Sequence, residues 1–458
     1  MLASALYGKQ WGDENSPIEK RQRELLVTWR NSALMGAPTM PVITNVISQH
    51  AEEAAMLWIL RRAAVVAPHY SLADLAKIEG RVEAHLDGLR IAGEEGWKFC
   101  EEQLAANEEG EIFAAGVVAF ELVRPEFIAR VLSVVEEQPK TADGLVSALG
   151  WLSVERALPN IHNLLRSDTP VYQRVGIAAA AIHRWHPGEA LARLVGAEDT
   201  AIQARALKAV GELGDASLRS NVESALRDAD VECRFAAAWS GALLGLPTAV
   251  LMLREIAESG SPRAVAAAGL VLRQMDMSAA QSWQKGLAGD PKRIRLAIIA
   301  AGTMGDPALV PWLISLMSQL PLARLAGEAF TMITGVDLAY RDLERKPPED
   351  FNAGPTEDPK DENVEMDLDD NLPWPEPALM QKWWDKNRSQ FQNGTRYLLG
   401  KPMTPEWLKT VLRDGRQRQR AAAALELAIR NPGHPLFNVK APGFRQIELL
   451  GKPGPVIR

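Results

Sequence analysis

Tyr172-Gln-Arg-Val-Gly-Ile-Ala-Ala-Ala180 returns, with changes, as Gln203-Ala-Arg-Ala-Leu-Lys-Ala-Val-Gly211 and Glu232-Cys-Arg-Phe-Ala-Ala-Ala-Trp-Ser240. It returns again as Ser261-Pro-Arg-Ala-Val-Ala-Ala-Ala-Gly269, Arg293-Ile-Arg-Leu-Ala-Ile-Ile-Ala-Ala301 and Leu322-Ala-Arg-Leu-Ala-Gly-Glu-Ala-Phe330. The arginines Arg174, Arg205, Arg234, Arg263, Arg295 and Arg324 stand 31, 29, 29, 32 and 29 residues apart. Each interval has room for two short helices and their turns, and a tandem run of such units is the sequence form of an α-solenoid. Alanine and glycine cluster after the arginines, at Ala178 to Ala181, Ala236 to Ala238 and Ala266 to Gly269. Small residues let neighbouring helices approach closely while Leu, Ile, Val and Met of the companion helix fill the gaps. The expected fold is all-α, and nearly all of the chain is expected to be helical.

An aspartate precedes three of the arginines by six positions: Asp168 before Arg174, Asp199 before Arg205 and Asp228 before Arg234. At the turn before a helix an aspartate can cap backbone amides, and the arginine can reach the aspartate of an adjacent repeat. A structural ladder of these six side chains is the expectation, interrupted where the turns at Gly260-Ser261-Pro262 and Pro321 lack the aspartate. This Asp-x5-Arg spacing, the small residues after it, and endings such as Leu213-Gly214-Asp215 and Met304-Gly305-Asp306 resemble HEAT repeats, especially the short bacterial type of phycobilisome-lyase-like proteins.

Outward from the repeats the chain divides into five parts. Residues 1–39 hold a basic amphipathic run around Lys20 to Arg30 and read as an arm, or as an over-extended start with Met40 as initiator. Residues 40–108 form a helical N-terminal block without the repeat, with Ser71 as an N-cap after the turn Pro68-His69-Tyr70. Residues 109–341 are the HEAT-like repeats, the first two less regular. Residues 342–376 are acidic and proline-bearing, which opposes packing and reads as a linker open to proteolysis. Residues 377–458 return to helix, with Arg420 before four alanines echoing the repeat.

The N-terminal block, with His50-Ala-Glu-Glu, Trp58-Ile-Leu-Arg61, His69-Tyr70, Leu72-Ala-Asp74-Leu75 and Glu83-Ala-His85-Leu-Asp87-Gly88, is similar to a bacterial HEAT-repeat family often encoded beside type VI secretion genes. The tail motifs Gly394-Thr-Arg-Tyr-Leu-Leu-Gly400 and Gly415-Arg-Gln-Arg-Gln-Arg-Ala-Ala-Ala-Ala424 extend that likeness, which covers about residues 42–450. The resemblance implies a setting near spike-tip proteins and effector adaptors, and no mechanism.

Composition narrows the function. A net charge of −7 opposes a broad nucleic-acid surface. Only Cys100 and Cys233 are present, which suits a reducing cytoplasm, and no stretch has the length of a membrane span or the pattern of a signal peptide. His50 and Glu53 have helical metal-ligand spacing without a third ligand, and His183 and His186 sit where histidine can meet terminal carbonyls. Asp367, Asp369 and Asp370 lack the rest of a calcium loop, and P-loop, nucleophile-elbow and dinucleotide motifs are missing. No catalytic residue, metal or cofactor is expected. Trp151, Trp185, Trp239, Trp283 and Trp312 read as core, whereas Trp58, Trp383 and Trp384 are better placed to anchor a partner. The favoured site is Trp58, His69, Tyr70, Asp74 and His85, and the expected function is a protein-binding scaffold or adaptor in secretion, for effector loading or immunity. Its partner would be an effector or a spike-associated adaptor. The alternatives are a HEAT-like lyase acting on a bilin-type group and a DNA-binding alkylpurine-glycosylase-like solenoid, the latter opposed by the acidic balance.

Overall fold

The computed structural model describes residues 43–349, 351, 353–354, 367–454 and 456–457, so the arm at 1–39 lies outside the described residues. The structure is 71% helical, with 22 α-helices among the described residues. It opens with α1 (Thr44–Ala64), α2 (Leu72–Ala92) and α3 (Glu94–Gln103), the first two packed as a hairpin. Helical hairpins follow: α4 (Glu109–Leu122) with α5 (Pro125–Glu137), α6 (Ala142–Trp151) with α7 (Val154–Arg166), and α8 (Pro170–Ile182) with α9 (Glu189–Leu194). Next come α10 (Thr200–Leu213) with α11 (Arg219–Ala225), α12 (Val231–Leu243) with α13 (Pro247–Glu258), and α14 (Ala264–Gln274) with α15 (Met277–Ala288). The series ends with α16 (Ile294–Met304), α17 (Val310–Leu316) and α18 (Leu320–Thr334).

The even-numbered helices from α4 to α18, which include the helices of the arginine repeats, stack one on the next, and α1 packs on α4, so the row is continuous. The small residues make this stacking possible. A methyl added at Gly116 would meet the Ala148 Cβ, one at Gly150 would meet Ile182, and one at Gly302 would meet Ala329. The resulting core runs from Ala51 to Met304 without a break, with a second cluster around Phe330 and a third under the tail. This is an α-solenoid.

The tail holds α19 (Pro377–Asn387), a two-residue antiparallel pair β1 (Tyr397–Leu398) and β2 (Lys401–Pro402), then α20 (Pro405–Asp414), α21 (Gln417–Arg430) and α22 (Gly443–Leu450). It is not an eighth stacked hairpin. It turns back and runs along the C-terminal ends of the stacked helices. Those ends carry unpaired carbonyls and the negative pole of the helix dipole, and the tail brings cations: residues 388–458 hold thirteen Lys or Arg against four Asp or Glu. Arg396 donates to the Leu272 and Met275 carbonyls at 2.8 and 2.6 Å, and Arg445 to Leu152 O at 2.9 Å. Backbone pairing reinforces these contacts through Tyr397 N to Gly305 O at 2.8 Å, Leu399 N to Met332 O at 2.8 Å and Leu436 N to Glu212 O at 3.0 Å.

Two glycines show how the repeat endings serve the tail. Gly305 and Gly335 end α16 and α18 at φ 70° and 76°, a conformation that favours glycine. A side chain there would also collide with the backbone of Tyr397 or Leu399. The Gly-Asp ending therefore terminates a helix and leaves room for the tail.

The two flanks of the acidic stretch pack on the repeats, while residues 355–366 between them lie outside the described residues. Leu343, Leu372 and Trp374 are buried, Arg345 N donates to Trp374 O at 2.8 Å, and Asp369 is buried too. Asp369 takes Arg295 at 2.6 Å and Asp367 takes Arg324 at 2.6 Å, while Arg324 also lies 4.6 Å over the Trp374 ring. Arg295 and Arg324 thus find their acids further along the chain. No helix among the described residues is long and apolar enough to cross a membrane.

Candidate functional site

The five residues favoured from sequence do not form one site. Trp58 is buried, stacked on Phe113 with centroids 5.5 Å apart, which corrects the aromatic-anchor reading. Trp384 is buried as well, and Trp383 packs edge-on against Phe330. Asp74 forms the capping box of α2: Ser71 Oγ donates to its carboxylate at 2.7 Å, and its own amide donates to Ser71 Oγ at 3.2 Å. Burial alone would raise its pKa, but hydrogen bonds from Ser71 and Lys77 hold it below the ordinary value. His85 meets His50, Nδ1 to Nδ1 at 3.1 Å, and its pKa is lowered by burial and by that neighbour. No group of three His, Cys, Asp or Glu side chains among the described residues is arranged to hold a metal.

His69 and Tyr70 lie at a seam that joins the two ends of the solenoid. Gln417 N donates to Tyr70 O at 2.7 Å, the buried Gln417 amide donates to Val65 O at 3.3 Å, and Arg418 Nε donates to Val66 O at 3.0 Å. From the same turn Arg416 pairs with Asp337 at 2.6 Å and Arg418 with Glu328 at 2.8 Å, both in or just after α18. One tail segment thus grips the first hairpin and the last repeat, and the solenoid closes into a ring. The small cleft left there, lined by Pro68, His69, Glu328, Asp337, Arg416 and Arg418, has a cavity volume of about 60 Å³. That is room for a water or two. Burial and the Arg416 charge lower the His69 pKa, and burial raises that of Glu328 against the opposing pull of Arg418.

A buried polar network lies beside the seam. Arg61 pairs with Glu79 at 3.0 Å and donates to Lys440 O at 2.7 Å and Ala441 O at 3.0 Å, while Gly443 N donates to Glu79. Arg420, with no exposed surface, donates to Leu412 O at 2.7 Å and to the side-chain oxygens of Gln417 and Gln446. Its guanidinium pKa is pushed down to about 10 by burial. These bonds all end on tail or hairpin acceptors, which is the signature of a structural fastening.

The expected ladder takes a different form. Asp199 caps α10 through Ile202 N at 3.0 Å, but Arg205 pairs with Glu212 at 2.8 Å, two turns on along its own helix. Arg234 donates to the Asp228 and Ala229 carbonyls at 2.6 and 2.8 Å, and the Asp228 carboxylate accepts from Gln203 at 3.1 Å. Arg174 reaches Pro139 O at 3.2 Å, and no ion pair joins it to Asp168. These residues tie repeats together through carbonyls and amides more than through Asp-Arg pairs. His183 does meet a terminal carbonyl, Leu149 O at 2.8 Å, and His186 pairs with Asp215 at 2.9 Å.

The surface that sequence reasoning missed is the outer side of α1. Its inner stripe, Ala51, Ala54, Leu57 and Trp58, is buried, yet Met56, Ile59, Leu60 and Ala63, spaced i, i+3, i+4, i+7, face outward. Of the sixteen large apolar side chains exposed among the described residues, six lie between Ile43 and Val66. A helix apolar on both sides is normally covered on both, and the end repeat of a solenoid normally turns a polar face outward. Between α1 and the end of α3 lies an open groove of about 340 Å³, with Met56 and Ile59 on its floor and Glu52, Glu102 and Glu111 around it. The Glu111 Oε2 is buried there without a hydrogen-bond partner. Residue spacing held the signal, because both stripes are present in the letters of α1.

With this geometry in place, the comparison with known families is consistent with the fold. Residues 189–273, spanning α9 to α14, match the family model for HEAT repeats. No curated protein and no solved structure matches the chain. The protein is an all-α solenoid with HEAT-repeat character, and HEAT repeats are helical scaffolds for protein interaction.

Proposed function

We propose that this protein is a non-catalytic adaptor that holds a protein partner against the outer face of α1. The supporting observation is the uncovered apolar stripe Met56, Ile59 and Leu60 beside an acidic groove, on a molecule whose helix ends are already covered by its own tail. Apolar patches rimmed by charge mark interaction surfaces, and the acidic rim selects a partner segment that carries basic residues beside its apolar ones. The setting we propose is type VI secretion, in the cytoplasm, with an effector or a spike-associated adaptor as partner, and the resemblance of residues 42–450 supports that reading. A bilin lyase has no comparable observation in its favour.

The test is affinity capture from host cells with the parent protein and with Ile59→Lys. A partner that copurifies with the parent and is lost from the variant, with an unchanged melting temperature, supports the reading. Equal recovery on both would rule out the α1 face as the binding surface.

A further inference from the structure

Where α10, α12 and α14 stack, cations outnumber the acids beside them. Lys208 on α10 is exposed, lies 5.6 Å over the Trp239 ring of α12, and has no ion pair among the described residues. Arg263, in the turn before α14, lies 5.3 Å over the Phe235 ring of the same helix and pairs with Glu232 at 2.7 Å. Glu212, Arg205, Lys440 and Arg263 are the charges that act on Lys208, and Arg184 joins Arg205 and Lys208 around Glu212. Five cations, Arg184, Arg205, Lys208, Arg263 and Lys440, are thus set against two carboxylates, Glu212 and Glu232, on a protein whose net charge is −7. Arg205 already holds Glu212 and Arg184 already donates to Leu436 O, which leaves Lys208, Lys440 and Arg263 as the cations open to solvent. Burial lowers the Lys208 pKa although solvent reaches the side chain, and Arg205, Lys440 and Arg263 lower it further against the pull of Glu212. A lysine in that position stands on the wall of a hollow and lacks a counter-charge.

We infer that this basic wall is the docking site for an acidic segment of a partner protein, with Lys208, Arg263 and Lys440 meeting its carboxylates and the half-buried Trp239 its apolar stems. The scale fits an extended peptide. Phe235 and Trp239 are four residues apart, about 6 Å along α12, and alternate side chains of an extended chain stand about 7 Å apart. Successive same-side carboxylates can therefore reach the cations over the two rings. A nucleic acid fits less well, because its affinity comes from many phosphate contacts, whereas the open cations here are three and the charge of the whole molecule repels a polyanion. The inference goes beyond the α1 face and does not depend on it. Of the two surfaces, α1 favours a basic, apolar segment and the α10–α14 wall an acidic one, so together they would let one adaptor hold two different chains.

The experiment measures fluorescence anisotropy of a fluorescein-labelled peptide of eight glutamates titrated with the full chain. The peptide is expected to bind the parent, and Lys208→Glu and Lys440→Glu are each expected to weaken binding by about fivefold or more. Lys285→Glu makes the same charge change at an exposed lysine of α15 and should stay within about twofold of the parent. Lys208 and Lys440 are exposed and lie on separate elements, so if one variant melts early the other still reports on the wall. No binding by the parent, an equal loss in Lys285→Glu, or tighter binding of an oligothymidylate of the same length would each overturn the inference. Ile59→Lys should leave the peptide affinity unchanged, so the α1 reading and this one fail separately.

Discussion

Contact between α10 and α12 depends on Gly211 having no side chain. A methyl there would stand 2.7 Å from the Ser240 Cα, and Ser240 is held in place by donating to Leu207 O at 2.7 Å while accepting from Gly211 N at 3.2 Å. Gly211→Ala would favour an isolated helix, but here the overpacking is expected to dominate, lowering stability by about 1–3 kcal/mol. A urea titration that gave the variant an equal or higher midpoint would show that the two helices yield. His183 makes a pH-dependent contribution of its own. Burial, with help from Arg445, lowers its pKa to about 4 from 6.5, and its Nε2 donates to Leu149 O. Because the unfolded chain takes up the proton first, this contribution is intact above pH 6.5 and is lost as the pH falls towards 4, by up to roughly 3 kcal/mol. His183→Gln keeps a donor for the carbonyl and cannot titrate. Stability measured against pH should therefore fall less steeply for the variant over that window, and parallel curves would remove His183 from the account. The arginine row shows what residue spacing leaves open. The six-position spacing of Asp199 and Arg205 fixes where along the hairpin each sits, but a long guanidinium can find Glu212, a carbonyl or a distant aspartate equally well. The capping role of Asp199 depends on local backbone geometry and was legible in the sequence. The partner of Arg205 depends on tertiary packing and was not.

At the scale of elements, α21 and the turn before it carry the closure. Arg416 and Arg418 each hold an acid on the last repeat, and the pairs are partly exposed, so each contributes at most about 1 kcal/mol. Replacing both by alanine should leave α10 and α12 protected from hydrogen exchange while amides near residues 65–72 and 328–337 exchange faster. Uniform loss of protection across all repeats would mean that the seam is part of the global core. Helix positions were readable because apolar spacing, Ser71 as cap and the Gly-Asp endings are local signals, and Ser71 does cap α2. The packing of the acidic segment's flanks was not legible, for the opposite reason. Its aspartates oppose packing only while the arginines of remote repeats are out of view, and Asp367 and Asp369 fold onto Arg324 and Arg295. The outer stripe of α1 was hidden in a similar way, since periodicity reveals an apolar face without saying which of two such faces the core covers.

For the whole molecule, ring closure changes the rules by which a solenoid behaves. An open repeat array is held by neighbours alone and can fray from either end. Here residues 388–458, with a net charge of +9, lie along a body that carries the remaining −16, and they touch the first hairpin and the last repeat together. Synthesis on the ribosome runs in the opposite sense to this dependence. The repeats emerge and stack early, each needing only its predecessor, but Val65 meets Gln417 across 352 residues and Arg61 meets Lys440 across 379. Until that late segment is made, Glu79 lacks the Gly443 amide and Arg61 the Lys440 and Ala441 carbonyls, and the helix ends along the row stand bare. Contacts of such separation form slowly and last. Until the tail has been made the nascent chain therefore has bare helix ends, and only afterwards can the circle be drawn shut.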